Sequence, residues 1–167
     1  RADFDVLLES HALSAQLAPA FLEDAVGFAQ FIDSGNHRQH DLHVADDARA
    51  EHGAELAFSF QGEALEKRVR PLAASLGSDF CFECDVADMA ALDAAFATLA
   101  ARWPTIDFLV HAIGFSDKNE LRGQYLDTSL DNFLMTMNIS AYSMVAVTRR
   151  AAAMMSDGGS LLTLSYY

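Results

Sequence analysis

No apolar run in this 167-residue chain reaches the roughly 18 residues a membrane-spanning helix needs, so no helical span is expected. Cationic side chains are scarce. Eleven Lys and Arg stand against 24 Asp and Glu, a formal net charge of −13. Such a chain repels nucleic-acid phosphates and anionic lipid surfaces, so neither is expected as a partner. The acidic N-terminus lacks a compact apolar run with a small-residue cleavage site, and no secretory signal is expected. Cysteine is nearly absent, with Cys81 and Cys84 alone, in CFEC. Three apart in a strand, their side chains point to opposite faces, which argues against a chelate and against a strain-free disulfide. Core packing and a reducing cytoplasm are the expectation. Glycine numbers nine, and only Gly27, Gly35 and Gly53 precede residue 54. None forms G-x-G-x-x-G or a looser glycine-rich turn, so no phosphate cradle of the dinucleotide-binding type is visible, which argues against cofactor binding by the chain as given.

What is present is a globular composition, 51% hydrophobic, in a length that suits one domain with a real core. The organising stretch is Ile106–Ser116, IDFLVHAIGFS. A near-continuous apolar run reads as a strand buried on both faces, as in a parallel sheet covered by helices. Gly114 follows directly, where the missing Cβ lets the backbone approach a flat ligand. An ordinary turn after a buried strand is the plainer alternative.

The regular signal begins at residue 51. Ala54–Phe60 and Asp79–Cys84 read as strands. Glu63–Leu76 is amphipathic, with Leu65, Val69, Leu72, Ala73 and Leu76 on one face and Gly77 as its stop. Asp88–Trp103 reads as a helix closed by Pro104, Ser129–Met155 as a long helix, and Ser160–Ser165 as a last strand. Strands alternating with helices predict right-handed βαβ units and a parallel sheet. The expected fold is a Rossmann-like doubly wound domain, truncated. Residues 1–50 read differently. Ala12–Ile32 has helix-like spacing, and Ser34–Ala50 is polar and aperiodic. His37, His40 and His43 with Asp41, Asp46 and Asp47 suggest a metal site on paper, but a solvated segment is the stronger reading. The expected division is therefore an atypical segment, 1–50, and a partial Rossmann-like domain, 51–167.

Several polar residues sit where such a fold meets its ligand. Gln61 follows a strand and suits the hydroxyls of an adenosine ribose. The nearest basic groups, Lys67 and Arg68, are a turn or more away, which favours NADH over NADPH. Asp85 follows the next strand, where its carboxylate suits an adenine amine. A helix-start role is equally compatible with that position.

The blocks GAELAFSFQGEALEKRV, LGSDFCFECDV, DFLVHAIGFSDKNEL, DNFLMTMNISAYS and GGSLLTLSYY together resemble the bacterial enoyl-acyl-carrier-protein reductases, of the short-chain dehydrogenase/reductase superfamily. The resemblance runs from about Arg49 to Tyr167. It implies a cytoplasmic oxidoreductase of fatty-acid biosynthesis, reducing trans-2-enoyl thioesters on acyl carrier protein with NADH. Hydride goes to the β-carbon, a tyrosine hydroxyl stabilises the enolate, and the α-carbon is then protonated. It also implies a homo-oligomer, a tetramer in the family. By the resemblance, Gln61, Asp85, Val86, Ile113 and Gly114 lie along the cofactor, and Phe115 and Ser116 border the substrate. Tyr166 matches the first of two active-site tyrosines. Asn138 matches the helix asparagine of the superfamily's proton relay, although an ordinary helix-interior polar residue reads the same way.

The chain also departs from that family. The opening strand, phosphate loop and first helix are not legible in residues 1–50, as an upstream change of reading frame would produce. The start at Arg1 and the end at Tyr167, before the family's second tyrosine and its lysine, lead us to expect a fragment that is inactive alone. The reading from another class is a non-catalytic binding or assembly module using Ser129–Met155 as its contact surface. A carbonyl-reducing member of the superfamily is disfavoured by the two tyrosines after SLLTLS.

Overall fold

A computed structural model of the chain describes the backbone of residues 26–31 and all of residues 53–163. Five parallel strands form one sheet: β1 (Val26–Phe31), β2 (Glu55–Phe60), β3 (Cys81–Glu83), β4 (Phe108–Ala112) and β5 (Ser160–Thr163), in the order β3-β2-β1-β4-β5. The described helices are α1 (Gly62–Ser75), α2 (Met89–Arg102), α3 (Leu130–Met137) and α4 (Ser143–Met154). A single π-helical stretch, Asn138–Tyr142, joins α3 to α4 without a break.

The strand β1 corrects the helical reading of Ala12–Ile32. Val26–Phe31 pairs with β2 through Val26↔Glu55 to Gln30↔Ser59, and with β4 through Gly27↔Phe108 to Phe31↔Ala112. Six residues are too few for apolar spacing to separate a helix from a strand. Here the pairing with a strand on each side decides. The rest of Ala12–Ile32, the histidine-rich stretch and Tyr166 lie outside the described residues.

Helices cover both faces because the strands alternate two apolar sets. Leu56, Phe58 and Phe60 of β2, with Phe108 and Val110 of β4, pack with Val69, Ala73 and Leu76 at α1. Ala57 and Leu109 face the other way, onto Leu92, Ala95, Phe96 and Leu99 of α2 and Val147 and Ala151 of α4. Cys81 packs against the first cluster and Cys84 lies in the second, on opposite faces as their spacing predicts. Burial pushes the Cys81 thiol above its ordinary value, which keeps it protonated and unreactive.

Local signals set the helix ends. Asp88 Oδ1 accepts from Ala90 N at 2.8 Å, and Ser129 Oγ accepts from Asn132 N at 3.1 Å, satisfying donors that each helix start leaves open. Gly159 enters β5 through a tight space. A Cβ built there would lie 2.8 Å from Asp107 O and 2.7 Å from Met155 Sδ. The carbonyl is backbone and cannot swing away. Gly159→Ala is expected to cost about 1–3 kcal/mol in chemical denaturation, and an unchanged midpoint would contradict this packing.

Candidate nucleotide-binding cleft

The order of connections reverses between β1 and β4, since the chain runs outward to β3 on one side and to β5 on the other. A crevice opens at the carboxyl ends of the strands at such a point. The structure has a cavity of about 210 Å³ there. Ser59, Phe60 and Gln61 line it from β2; Cys84, Asp85 and Val86 from β3; Ile113 and Phe115 from β4; Met135 and Ile139 close it from α3 and the π segment.

Five residues expected from the sequence at the site thus meet in one cleft: Gln61, Asp85, Val86, Ile113 and Phe115. Gln61 Nε2 donates to Asp85 Oδ2 at 2.9 Å, bridging the ends of β2 and β3. Asp85 Oδ1 accepts from Ala87 N at 2.9 Å, so its carboxylate is held from both sides. The adjacent Asp88, not Asp85, caps α2. Glu83 Oε1 accepts from Gly62 N at 3.3 Å beside the same cleft. Val86 and Ile113 are buried and supply apolar walls. Gly114 is exposed, and a Cβ there would meet nothing within 4 Å. No contact among the described residues explains a glycine at that position.

Ser116 sits behind the cleft rather than in its lining. Its hydroxyl accepts from Thr136 Oγ1 at 3.0 Å and from Asn132 Nδ2 at 3.3 Å. Asn132 Oδ1 accepts from Asp117 N at 3.0 Å. Ser140 Oγ accepts from Phe115 N at 3.0 Å and donates to Phe115 O at 3.2 Å. Asn132, Thr136 and Ser140 stand four apart, so one helical face pins the loop of residues 115–117. Sequence reading missed these three. The signal was there as a polar row of period four opposite a polar loop. Asn138, half-buried, opens the π segment, and Tyr166 lies outside the described residues.

The π segment has an identifiable cause. Ser143 N–H reaches back five residues to Asn138 O, which leaves the Ile139 carbonyl to the Ser143 hydroxyl at 2.5 Å. With that proton committed, Ser143 Oγ must accept from His111 Nε2–H at 2.7 Å, and His111 Nδ1 accepts from Thr163 Oγ1 at 3.3 Å. His111 is fully buried in β4 and ties β5 to the π segment. Burial pushes its imidazole below the ordinary value. The unfolded chain therefore binds the proton more readily, and folding stability falls as pH drops through and below the unfolded value of about 6.5. A His111→Asn variant is expected to flatten that part of the stability–pH profile. An unchanged slope would contradict a neutral, buried imidazole.

Strand order, helices on both faces and a cleft at the carboxyl edge define a Rossmann-like, doubly wound domain. The sequence profile described as enoyl-(acyl carrier protein) reductase matches residues 43–167. The chain belongs to that enoyl-(acyl carrier protein) reductase family. It is 59% identical over 120 residues to an enoyl-[acyl-carrier-protein] reductase [NADH] of Rhizobium meliloti, covering 72% of this chain and 44% of the relative. It is 44% identical over 115 residues to the Escherichia coli enzyme of that name, covering 68% of this chain and 44% of the relative. The reductase of Anaplasma phagocytophilum, solved in complex with NAD, superposes with a TM-score of 0.78 at 44% identity, covering 88% of this chain and 55% of that one. The Bacillus cereus enzyme, solved with NADP+ and an indole naphthyridinone, gives a TM-score of 0.76 at 35% identity, covering 87% and 56%. The chain spans about half the length of these relatives. Among the described residues, no helix is long and apolar enough to cross a membrane.

Proposed function

We propose that this chain carries the adenosine-binding half of a cytoplasmic, NADH-dependent enoyl-acyl-carrier-protein reductase of fatty-acid biosynthesis. The observation that carries the proposal is the Gln61–Asp85 pair held across the strand ends over an apolar floor. Gln61 offers an amide to the ribose hydroxyls. Asp85, held in place by Ala87 N, presents a carboxylate to the adenine amine. Val86 and Ile113 would supply apolar walls for the base, and Gly114 would leave room for the cofactor to pass close to the backbone. Phe115 and Ser116, fixed by Ser140, Asn132 and Thr136, border the enoyl substrate. When bound, NADH supplies the hydride that reduces the β-carbon of the enoyl thioester. Tyr166, as a match to the first of the family's two active-site tyrosines, and Asn138, in the proton relay, are assigned to the catalytic side.

Glu83 and Asp85 flank Gln61, and Lys67 is paired with Glu63 at 2.7 Å. A 2′-phosphate there would face carboxylates, so NADH is preferred over NADPH. Calorimetric titration of the 167-residue chain with each cofactor tests this. Tighter binding of NADH is expected, and equal or tighter binding of NADPH would contradict it.

The assembly reading has its own support. Leu130, Phe133, Leu134 and Val145 on α3 and α4 are each about half or more exposed. We assign this face to self-association in a homo-oligomer. The division into an N-terminal segment, 1–50, and a partial reductase domain, 51–167, is kept only as a change in sequence character, since β1 at Val26–Phe31 is the central strand of the sheet and the proposed domain therefore includes it.

A further inference from the structure

The register places four polar residues in one row across the sheet: Ser59 of β2, Gln30 of β1, His111 of β4 and Thr163 of β5. His111 and Thr163 satisfy each other, and Ser143 takes the remaining imidazole nitrogen. Ser59 differs. It is fully buried, and its Oγ is the one buried side-chain polar atom among the described residues without a hydrogen-bond partner. It also lines the cleft, two residues before Gln61. Its described neighbours on that face, Ala57, Val86 and Ile113, offer no side-chain partner. A buried hydroxyl left without a partner is costly, and native structures hold few of them.

We propose that the Ser59 hydroxyl is a further nucleotide-binding group, which makes its missing hydrogen bond with the adenosine part of the ligand. This rests on the cleft being the adenosine site of the preceding section and adds a residue to it. A hydroxyl both donates and accepts, so it can serve a purine nitrogen or a ribose oxygen. Among the described residues nothing competes for it, so there the bond is made without breaking another.

The test uses the 167-residue chain and its Ser59→Ala variant, titrated calorimetrically with AMP, NADH and nicotinamide mononucleotide. A near-isosteric Ser59→Cys variant, whose thiol bonds weakly, guards against a packing defect. Both variants are expected to bind AMP and NADH about three- to tenfold more weakly, the size of one neutral hydrogen bond. Binding of nicotinamide mononucleotide is expected to be unchanged. The melting temperature of the ligand-free Ser59→Ala variant is expected to stay level or rise, since an unsatisfied hydroxyl has been removed. Wild-type AMP affinity in both variants would overturn the role of Ser59 alone. A lowered ligand-free melting temperature with unchanged affinity would also overturn it, by showing a bond within the chain. Folded wild-type chain that binds neither AMP nor NADH would overturn the adenosine site itself.

Discussion

Asp85→Ala is expected to weaken NADH binding by about 10- to 100-fold, the largest loss from any single side chain in the cleft. A hydrogen bond to a charged group contributes about 1.5–3 kcal/mol, and about 1.4 kcal/mol is a factor of ten. Two effects add in the same direction. The carboxylate assigned to the adenine amine is removed. The 2.9 Å bond that holds Gln61 is lost as well, so the amide assigned to the ribose is free to rotate. Asp85 is half-buried and its backbone partner, Ala87, is exposed. Water replaces that bond, so folding stability should change little. Asp85→Asn keeps one oxygen for Gln61 or Ala87 and is expected to recover part of the affinity. Calorimetry gives the affinities, and thermal unfolding checks that the fold survives. Wild-type affinity in Asp85→Ala would remove Asp85 from the site.

Trp103→Ala is expected to cost about 3–5 kcal/mol of folding stability, within reach of the whole stability of a small domain. Trp103 ends α2 and is 6% exposed. Its Nε1 donates to Glu55 Oε2 at 3.0 Å, at the start of β2. Its ring meets Phe80 edge to face, with centroids 5.1 Å apart. One side chain therefore fastens the end of α2 to the bases of β2 and β3, at the end of the sheet opposite the cleft. Truncation leaves a cavity that several elements must collapse together to fill. Trp103→Phe keeps most of the apolar contact and loses the indole bond, for about 1 kcal/mol from that bond. Urea unfolding followed by circular dichroism measures both. A loss below 1 kcal/mol in Trp103→Ala would show that α2 is held mainly by Leu92, Leu99 and their neighbours.

Much of the fold was legible because each element carries its own boundary chemistry. Asp88 and Ser129 mark helix starts, Gly77 and Pro104 mark ends, and the apolar run at Phe108–Ala112 marks a strand covered on both faces. The strand β1 was not legible. In Val26–Phe31, glycine and glutamine interrupt the apolar residues, and the segment is a strand because β2 and β4 pair with it. The cleft was legible in part. Gln61 and Asp85 stand just past strand ends, where chain order alone puts them at the carboxyl edge of the sheet. Ser59 was not, because a serine inside a strand is silent until its burial and missing partner are known. The π segment was equally hidden. It depends on Ser143 answering His111 from a distant strand, and no local spacing encodes that contact.

We propose that the cleft between the ends of β2, β3 and β4 receives the adenosine end of NADH. Amide NMR spectra of the isotopically labelled chain, titrated with AMP and then NADH, test it most directly. Both ligands are expected to shift the amides of residues 59–61, 84–86 and 113–115, leaving the faces packed by α1 undisturbed. Shifts centred elsewhere, or none from a folded chain at millimolar AMP, would contradict it.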